Sequence, residues 1–426
     1  MKILIKNGRL VDPASGLDQV GDLAITSGRI SAIGQPNADF AADRVIDATG
    51  KIVVPGLVDL AARLREPGHE HEGMLESELA AAAAGGVTSV VCLPDTDPTL
   101  DEPGLVEMLK LRARKLSRCR LFPLGALTRG LKGENLTEMA ELHEAGCVGY
   151  SQAEVPIKNT QVLQRALQYA ATFGYTASGS VATRLGLSGV PVSAETIAIH
   201  TIVELVRATG ARVHLCRISS AAGVELVRQA KAQKLPITAD VSINSLLLTD
   251  VDIGYFNPAM RVTPPLRQGR DRDALQAGLL DGTLDALVSD HNPVSEDEKA
   301  LPFGEAVPGA TGLELLLSLA LKWAGADQTD APDAAKLRRA LAAVTTGPVS
   351  VLGDALGSLS SSAGRLVAGG VADVCVFDPA HRWQVLPDAL VSQGKHTPFA
   401  FESTGFEMAG KVCLTLVAGQ VAHEGA

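Results

Sequence analysis

Pro55-Gly56-Leu57-Val58-Asp59-Leu60-Ala61-Ala62-Arg63-Leu64-Arg65-Glu66-Pro67-Gly68 is the stretch on which the fold of this 426-residue chain turns. Residues 57–64 within it form a short apolar, β-prone run. Seven more such runs follow, at 88–93, 120–127, 147–151, 175–180, 212–218, 237–241 and 286–290. Amphipathic stretches that read as helices lie between them, at 76–84, 105–115, 136–145, 161–172, 194–209 and 221–233. Near-continuous apolar strands alternating with helices imply a parallel sheet. Eight such units over some 300 residues imply a (β/α)8 barrel, whose chemistry belongs at the C-terminal ends of the strands.

The two ends of the chain have another rhythm. Short β-prone runs at 3–5, 23–25, 30–33 and 45–46 are separated by Asn7-Gly8, Ser27-Gly28 and Thr49-Gly50. Asn-Gly between apolar alternations is a hairpin signal. Runs at 373–377, 412–417 and 420–421 repeat the pattern at the C-terminus. The division that follows is an α/β chain. Residues 1–54 and 356–426 build one small β-sandwich domain, and residues 55–355 build the (β/α)8 barrel.

Composition excludes several classes. Charged residues make up 20% and hydrophobic ones 46%, with a net charge of −10, as in a globular protein without a concentrated basic face for nucleic acid. No uninterrupted apolar run approaches the roughly 18 residues of a membrane span, and the N-terminus reads as a strand and not as a signal peptide. Six scattered cysteines without a C-x-x-C pair read as buried small hydrophobes in a reducing compartment. A cytoplasmic address is the expectation.

The opening stretch resembles the first barrel strand of dihydroorotases of the amidohydrolase superfamily, P-G-x-x-D-x-H-x-H-x-R-E-P-G. Other segments agree in order. Leu124-Gly125-Ala126-Leu127-Thr128 is similar to the third strand, and Gly186-Leu187-Ser188-Gly189 with Glu195 to the loop before the fifth helix. Asn257-Pro258-Ala259-Met260-Arg261-Val262-Thr263-Pro264-Pro265-Leu266-Arg267 is similar to the N-P-P-L-R segment. Ser289-Asp290-His291-Asn292-Pro293 resembles D-H-A-P-H, and Thr397-Pro398-Phe399 its C-terminal counterpart.

What the resemblance implies is a binuclear metal centre that generates hydroxide and polarises a cyclic amide. Its ligand positions are occupied here by Ala61, Arg63, Ala153, Ser180, Arg217 and Asp290. Alanine cannot ligate, and a guanidinium is always protonated. Only Asp290 survives from the ligand set, and one carboxylate does not hold two metals. Glu154 is displaced from the bridging position. Arg65 remains where the family grips the substrate carboxylate, with Asp95 and His291 as the other remnants of the pocket; Asp95 would repel that carboxylate. No functional catalytic residue is therefore expected, and no zinc cofactor, although active relatives carry zinc. Arg63, Arg217 or both are expected to neutralise Asp290.

The reading that follows is a dihydroorotase-like pseudoenzyme of de novo pyrimidine (UMP) biosynthesis. The resemblance implies a structural subunit for the aspartate carbamoyltransferase catalytic subunit, as a homodimer within a larger complex. The alternative is an active cyclic-amide hydrolase with an atypical metal site drawing on His69, His71, His291 and Asp290. A third reading is an anion sensor that uses Arg65. His69 and His71 lie beyond the strand and read as a surface loop. His214, three residues before Arg217, is expected to face the strand–helix layer, because an odd offset on a strand reverses the face. Asp59 reads as structural.

Overall fold

The computed structural model describes residues 1–36, 39–180, 190–326 and 333–425, without the side chains of 178–180. Eight parallel strands follow one another in sequence order around the barrel: β6 (Leu57–Ala62), β7 (Val87–Cys92), β8 (Arg120–Ala126), β9 (Gly149–Ser151), β10 (Thr176–Ser180), β11 (Arg212–Cys216), β12 (Ile237–Ser242) and β13 (Ala286–Val288). All eight apolar runs are strands. The ring closes where Ala62 bridges His291 just past β13. There Arg63 N–H donates to the His291 carbonyl at 2.8 Å and His291 N–H to the Ala61 carbonyl at 3.2 Å.

Burial on both faces explains the apolar runs. Val213 and Leu215 of β11 pack outward with Val203 and Val224 of the helix layer. Val58, Leu60, Val91, Leu124 and Val288 point inward. The inner cluster is capped by Val349, Val351, Leu352 and Leu356. Those four belong to the apolar stretch Ala334–Leu359, which has the length and composition of a membrane span. The chain instead breaks it into helices Ala334–Ala343 and Thr346–Leu352 and a 3-10 segment, and buries it on the barrel.

The other strands come from both termini and join in one sheet: β1 (Lys2–Asp12), β2 (Leu17–Thr26), β3 (Arg29–Gly34), β4 (Arg44–Asp47), β5 (Ile52–Pro55), β14 (Val374–Gln384), β15 (Glu407–Val417) and β16 (Gln420–Glu424). β5 is the hinge of this arrangement. It pairs in parallel with β1 and antiparallel with β14. Ile3, Ile5, Leu23 and Ile25 share one core with Val374, Val376, Leu414 and Leu416. One turn expectation is corrected. Asn7-Gly8 does not end a strand; β1 runs through it, with Asn7 at φ 60° and a register shift between Ile5 and Gly8. An Asn in the left-handed region makes a bulge here because β2 pairs with β1 on both sides of it.

Candidate functional site

The C-terminal ends of the barrel strands converge on five charged side chains. Arg63, one residue beyond β6, pairs through Nε with Asp95 at 2.6 Å and through Nη2 with Glu154 at 3.2 Å. Arg217, one residue beyond β11, pairs through Nη1 with the same Glu154 oxygen at 3.1 Å and with Asp290 at 2.9 Å. It also donates to the Thr263 carbonyl at 3.2 Å. The chain Asp95–Arg63–Glu154–Arg217–Asp290 thus crosses the barrel mouth.

The backbone aims these side chains at a cost. Arg65, Ala153, Arg217 and Asp290 all have φ between 49° and 64°. A non-glycine residue there costs on the order of 1 kcal/mol or more and persists only where its surroundings fix it. For Arg217 the fixing bond is its own N–H to Asp240 Oδ1 at 2.5 Å. Arg217 and Asp290 are buried, their side chains 2% and 5% exposed, whereas Asp95 and Glu154 are about a quarter exposed. Burial works against the Arg217 charge, but Asp290 and then Glu154 outweigh it and hold the guanidinium above its ordinary range. For Arg63, burial is outweighed in the same way by Asp95 and Glu154.

These residues do not fit a binuclear centre. Ala61 and Ala153 offer no donor, two guanidiniums occupy the middle, and Asp290 is committed to Arg217. The Ser180 side chain lies outside the described residues. Among the described residues, one cavity beside this group, lined by Leu60, Ala61, Leu93, Leu124, Cys216 and Arg217, measures about 10 Å³. That is the space of one water, far below the roughly 300 Å³ at which small-molecule pockets begin.

Of the expected remnants, Arg65 donates to the Pro293 carbonyl at 2.9 Å and pairs with Glu72 at 2.7 Å. Asp95 is neutralised by Arg63. His291 leaves the group: it is fully buried, its Nε2 lies 2.9 Å from Glu78, and its Nδ1 accepts from Gly312 N–H. It therefore does not face a substrate pocket. His69, His71, His291 and Asp290 do not gather at one point among the described residues. The expected neutralisation of Asp290 falls to Arg217, while Arg63 goes to Asp95 and Glu154.

His214 corrects its expectation. Its neighbours Val213 and Leu215 face the helices, so His214 points into the barrel, with Nε2 2.9 Å from Asp240 and Nδ1 2.8 Å from Thr238. The parity argument fails because β11 ends at Cys216 and Arg217 turns left-handed, bringing both side chains inward. Asp59 has a structural place: it is buried and accepts from Ser289 N–H at 3.0 Å and from the Ser289 hydroxyl. Sequence reasoning underrated Glu154, the carboxylate shared by both arginines. The available signal was an acid one residue from the empty bridging position. The segment 186–189 lies outside the described residues, but Glu195 is buried and accepts from the backbone and hydroxyls of Ser219 and Ser220.

A family model described as dihydro-orotase-like matches residues 50–222. A "Dihydroorotase-like protein" of Pseudomonas aeruginosa is 40% identical over the full length of both chains. Another of that name, from Pseudomonas putida, is 41% identical over 99% of each. A protein named "Dihydroorotase" from Trichlorobacter lovleyi is 36% identical over the full length of both chains. Among solved structures, the L-hydantoinase (dihydropyrimidinase) of Arthrobacter aurescens superposes with a TM-score of 0.87 at 24% identity, covering 99% of this chain and 96% of that one. At that identity the likeness speaks for the fold alone.

Proposed function

Because the chain belongs to the dihydroorotase-like family, its barrel is one the family associates with cyclic-amide hydrolysis, and we propose that this chain has given up that hydrolysis for a structural role. It acts as the non-catalytic partner of aspartate carbamoyltransferase in de novo pyrimidine biosynthesis, a homodimer within the larger complex. The observation that carries the reading is the ion-pair chain from Asp95 to Asp290, whose two arginines stand at positions where the family resemblance expects metal ligands. Among the described residues, the cavity of about 10 Å³ beside it is too small for dihydroorotate. It also weighs against an anion sensor, as does the pairing of Arg65 with Glu72.

The test has two arms. Purified protein with added Zn2+ is given dihydroorotate, and turnover should not rise above the buffer rate. A tagged copy expressed in its own cell should bring down the transferase. Turnover, or recovery of the chain without the transferase, counts against the reading. The name of the Trichlorobacter relative favours the alternative, an active hydrolase with an atypical metal site. That alternative needs a metal beside Asp290, where Arg217 now lies 2.9 Å away.

A further inference from the structure

The barrel mouth carries a second feature that the ion-pair chain does not use, a lobe of exposed apolar side chains. The 3-10 turn Asp250–Ile253 and residues 254–257 lie on the loop that follows β12, the same loop whose Thr263 carbonyl accepts from Arg217. Val251 is 82% exposed, Phe256 72%, and Tyr255 wholly so. Phe303, on the loop that follows β13, lies 6.1 Å from the Phe256 ring and joins the two loops. The Tyr255 and Phe256 rings alone present on the order of 300–400 Å². That is nearly half of the roughly 800 Å² that each partner gives to a standard interface. Single exposed apolar residues need no explanation, but a contiguous patch of this size marks a docking surface.

The lobe is built to hold that patch out. Ile253 turns inward and packs on the barrel core. The Thr249 N–H and hydroxyl donate to Asp252 at 2.6 and 2.9 Å, the Asp250 N–H to the Arg267 carbonyl at 2.9 Å, and the Asn257 amide to the Ser403 hydroxyl at 3.1 Å. Gly254 and Phe256 both have φ in the left-handed region, 55° and 58°. That conformation costs Phe256 free energy, and burial of its ring within the chain does not offset it. A lobe fixed in this way loses little freedom on docking.

Its charge sets the chemistry of the partner. Asp250 and Asp252 flank Val251, and Glu296, Asp297 and Glu305 stand on the loop of Phe303; all five acids are exposed. Lys299, the single base in residues 250–257 and 296–305, is buried, and its ammonium donates to the carbonyls of Arg261, Val307 and Gly309. Arg261 is partly buried over the Phe303 ring. A second copy docking symmetrically through this lobe would bring like charges together. A basic surface gains from the same rim, and its arginines can stack on the faces of Tyr255 and Phe256.

We propose that this lobe docks a basic protein face with an apolar recess, carried by the transferase catalytic subunit. The inference rests on the proposed function for the identity of that partner. It adds where the contact lies: over the barrel mouth, so that the partner covers the ion-pair chain.

The experiment is sedimentation velocity of the full chain with the purified transferase catalytic subunit. Tyr255→Ser and Phe256→Ser should each weaken association at least about tenfold, as the loss of an aromatic anchor does. Their Tm should stay at the wild-type value, because both side chains already stand in water. Ile197→Ser, 66% exposed on the outer helix Val192–Thr209, should leave association unchanged. Glu296→Gln combined with Asp297→Asn should weaken it and flatten its dependence on salt. Undiminished association by both aromatic variants overturns the inference and leaves the proposed function standing, as does stronger association once the rim is neutralised. Self-association of the wild-type chain that Tyr255→Ser abolishes also overturns it, by making the occupant a second copy. A wild-type chain that does not associate with the transferase overturns both the inference and the proposed function.

Discussion

At the scale of single residues, Arg217 and Arg63 look alike in sequence and differ in what their removal should do. Arg217 is sealed in against a sealed carboxylate, whereas the partners of Arg63 reach solvent. Arg217→Met leaves Asp290 buried and unpaired, so a loss of about 3–5 kcal/mol is expected. Arg63→Met should cost clearly less, because Asp95 and Glu154 can be hydrated. Urea denaturation of the two variants measures the difference, and equal losses would contradict the argument. Asp59 supplies a pH prediction. Burial raises its carboxyl to about 6, against the Ser289 hydrogen bonds that lower it. A carboxyl raised on folding favours the native state below its unfolded pKa, and that contribution is lost as pH climbs through 6. The wild-type chain should therefore lose up to about 1.4 kcal/mol per pH unit between pH 4 and 6 from this group. Asp59→Asn should lack that slope in denaturation curves taken at stepped pH. That Ala61, Arg63 and Arg217 cannot ligate a metal was legible in the sequence, because residue type alone decides whether a side chain can ligate. The part played by Glu154 was not. It follows Ala153, whose φ of 49° swings the next side chain to a place that no spacing rule encodes.

At the scale of elements, period did most of the predicting. The eight apolar runs are eight strands because a barrel strand is buried on both faces. The rule failed where a strand stops being a strand. His214 was assigned by counting through Arg217, but β11 ends at Cys216. Asn7-Gly8 carries the composition of a turn, yet β2 pairs along both sides of it and makes it a bulge. Strand ends also set the limit on restoring chemistry. Changing Ala61 and Arg63 to histidine supplies two of the six positions at which the family resemblance expects ligands. Arg217 and Ala153 remain, and Asp95 and Glu154 lose one of their cations. Ala61→His with Arg63→His should give no dihydroorotate hydrolysis in the presence of Zn2+, and a less stable protein. Measurable turnover by this variant would mean that the site is closer to a hydrolase than its geometry indicates.

At the scale of the whole molecule, the barrel and the shared terminal sheet were both legible. Each rests on short-range patterns repeated in order, and the composition of the two ends differs from that of the middle. The proposed partner was not, because an interface with another chain leaves no period in the sequence. The proposed role is tested at this scale by the transferase alone: without this chain it should sediment as a smaller species, and adding the chain should restore the large one. Transferase that assembles fully alone would remove the need for a structural subunit. The terminal sheet has one more consequence, for synthesis. β5 needs β14 as its neighbour, and β14 is made roughly 300 residues later. At about 5–20 residues per second, the bare edge of Ile52, Val53 and Val54 waits on the order of 15–60 s on the ribosome. An unpaired apolar edge is a template for other chains. Nascent copies crowded on one messenger are therefore most exposed to mutual capture along β5, and a chaperone that covers extended apolar segments would have its most useful work there.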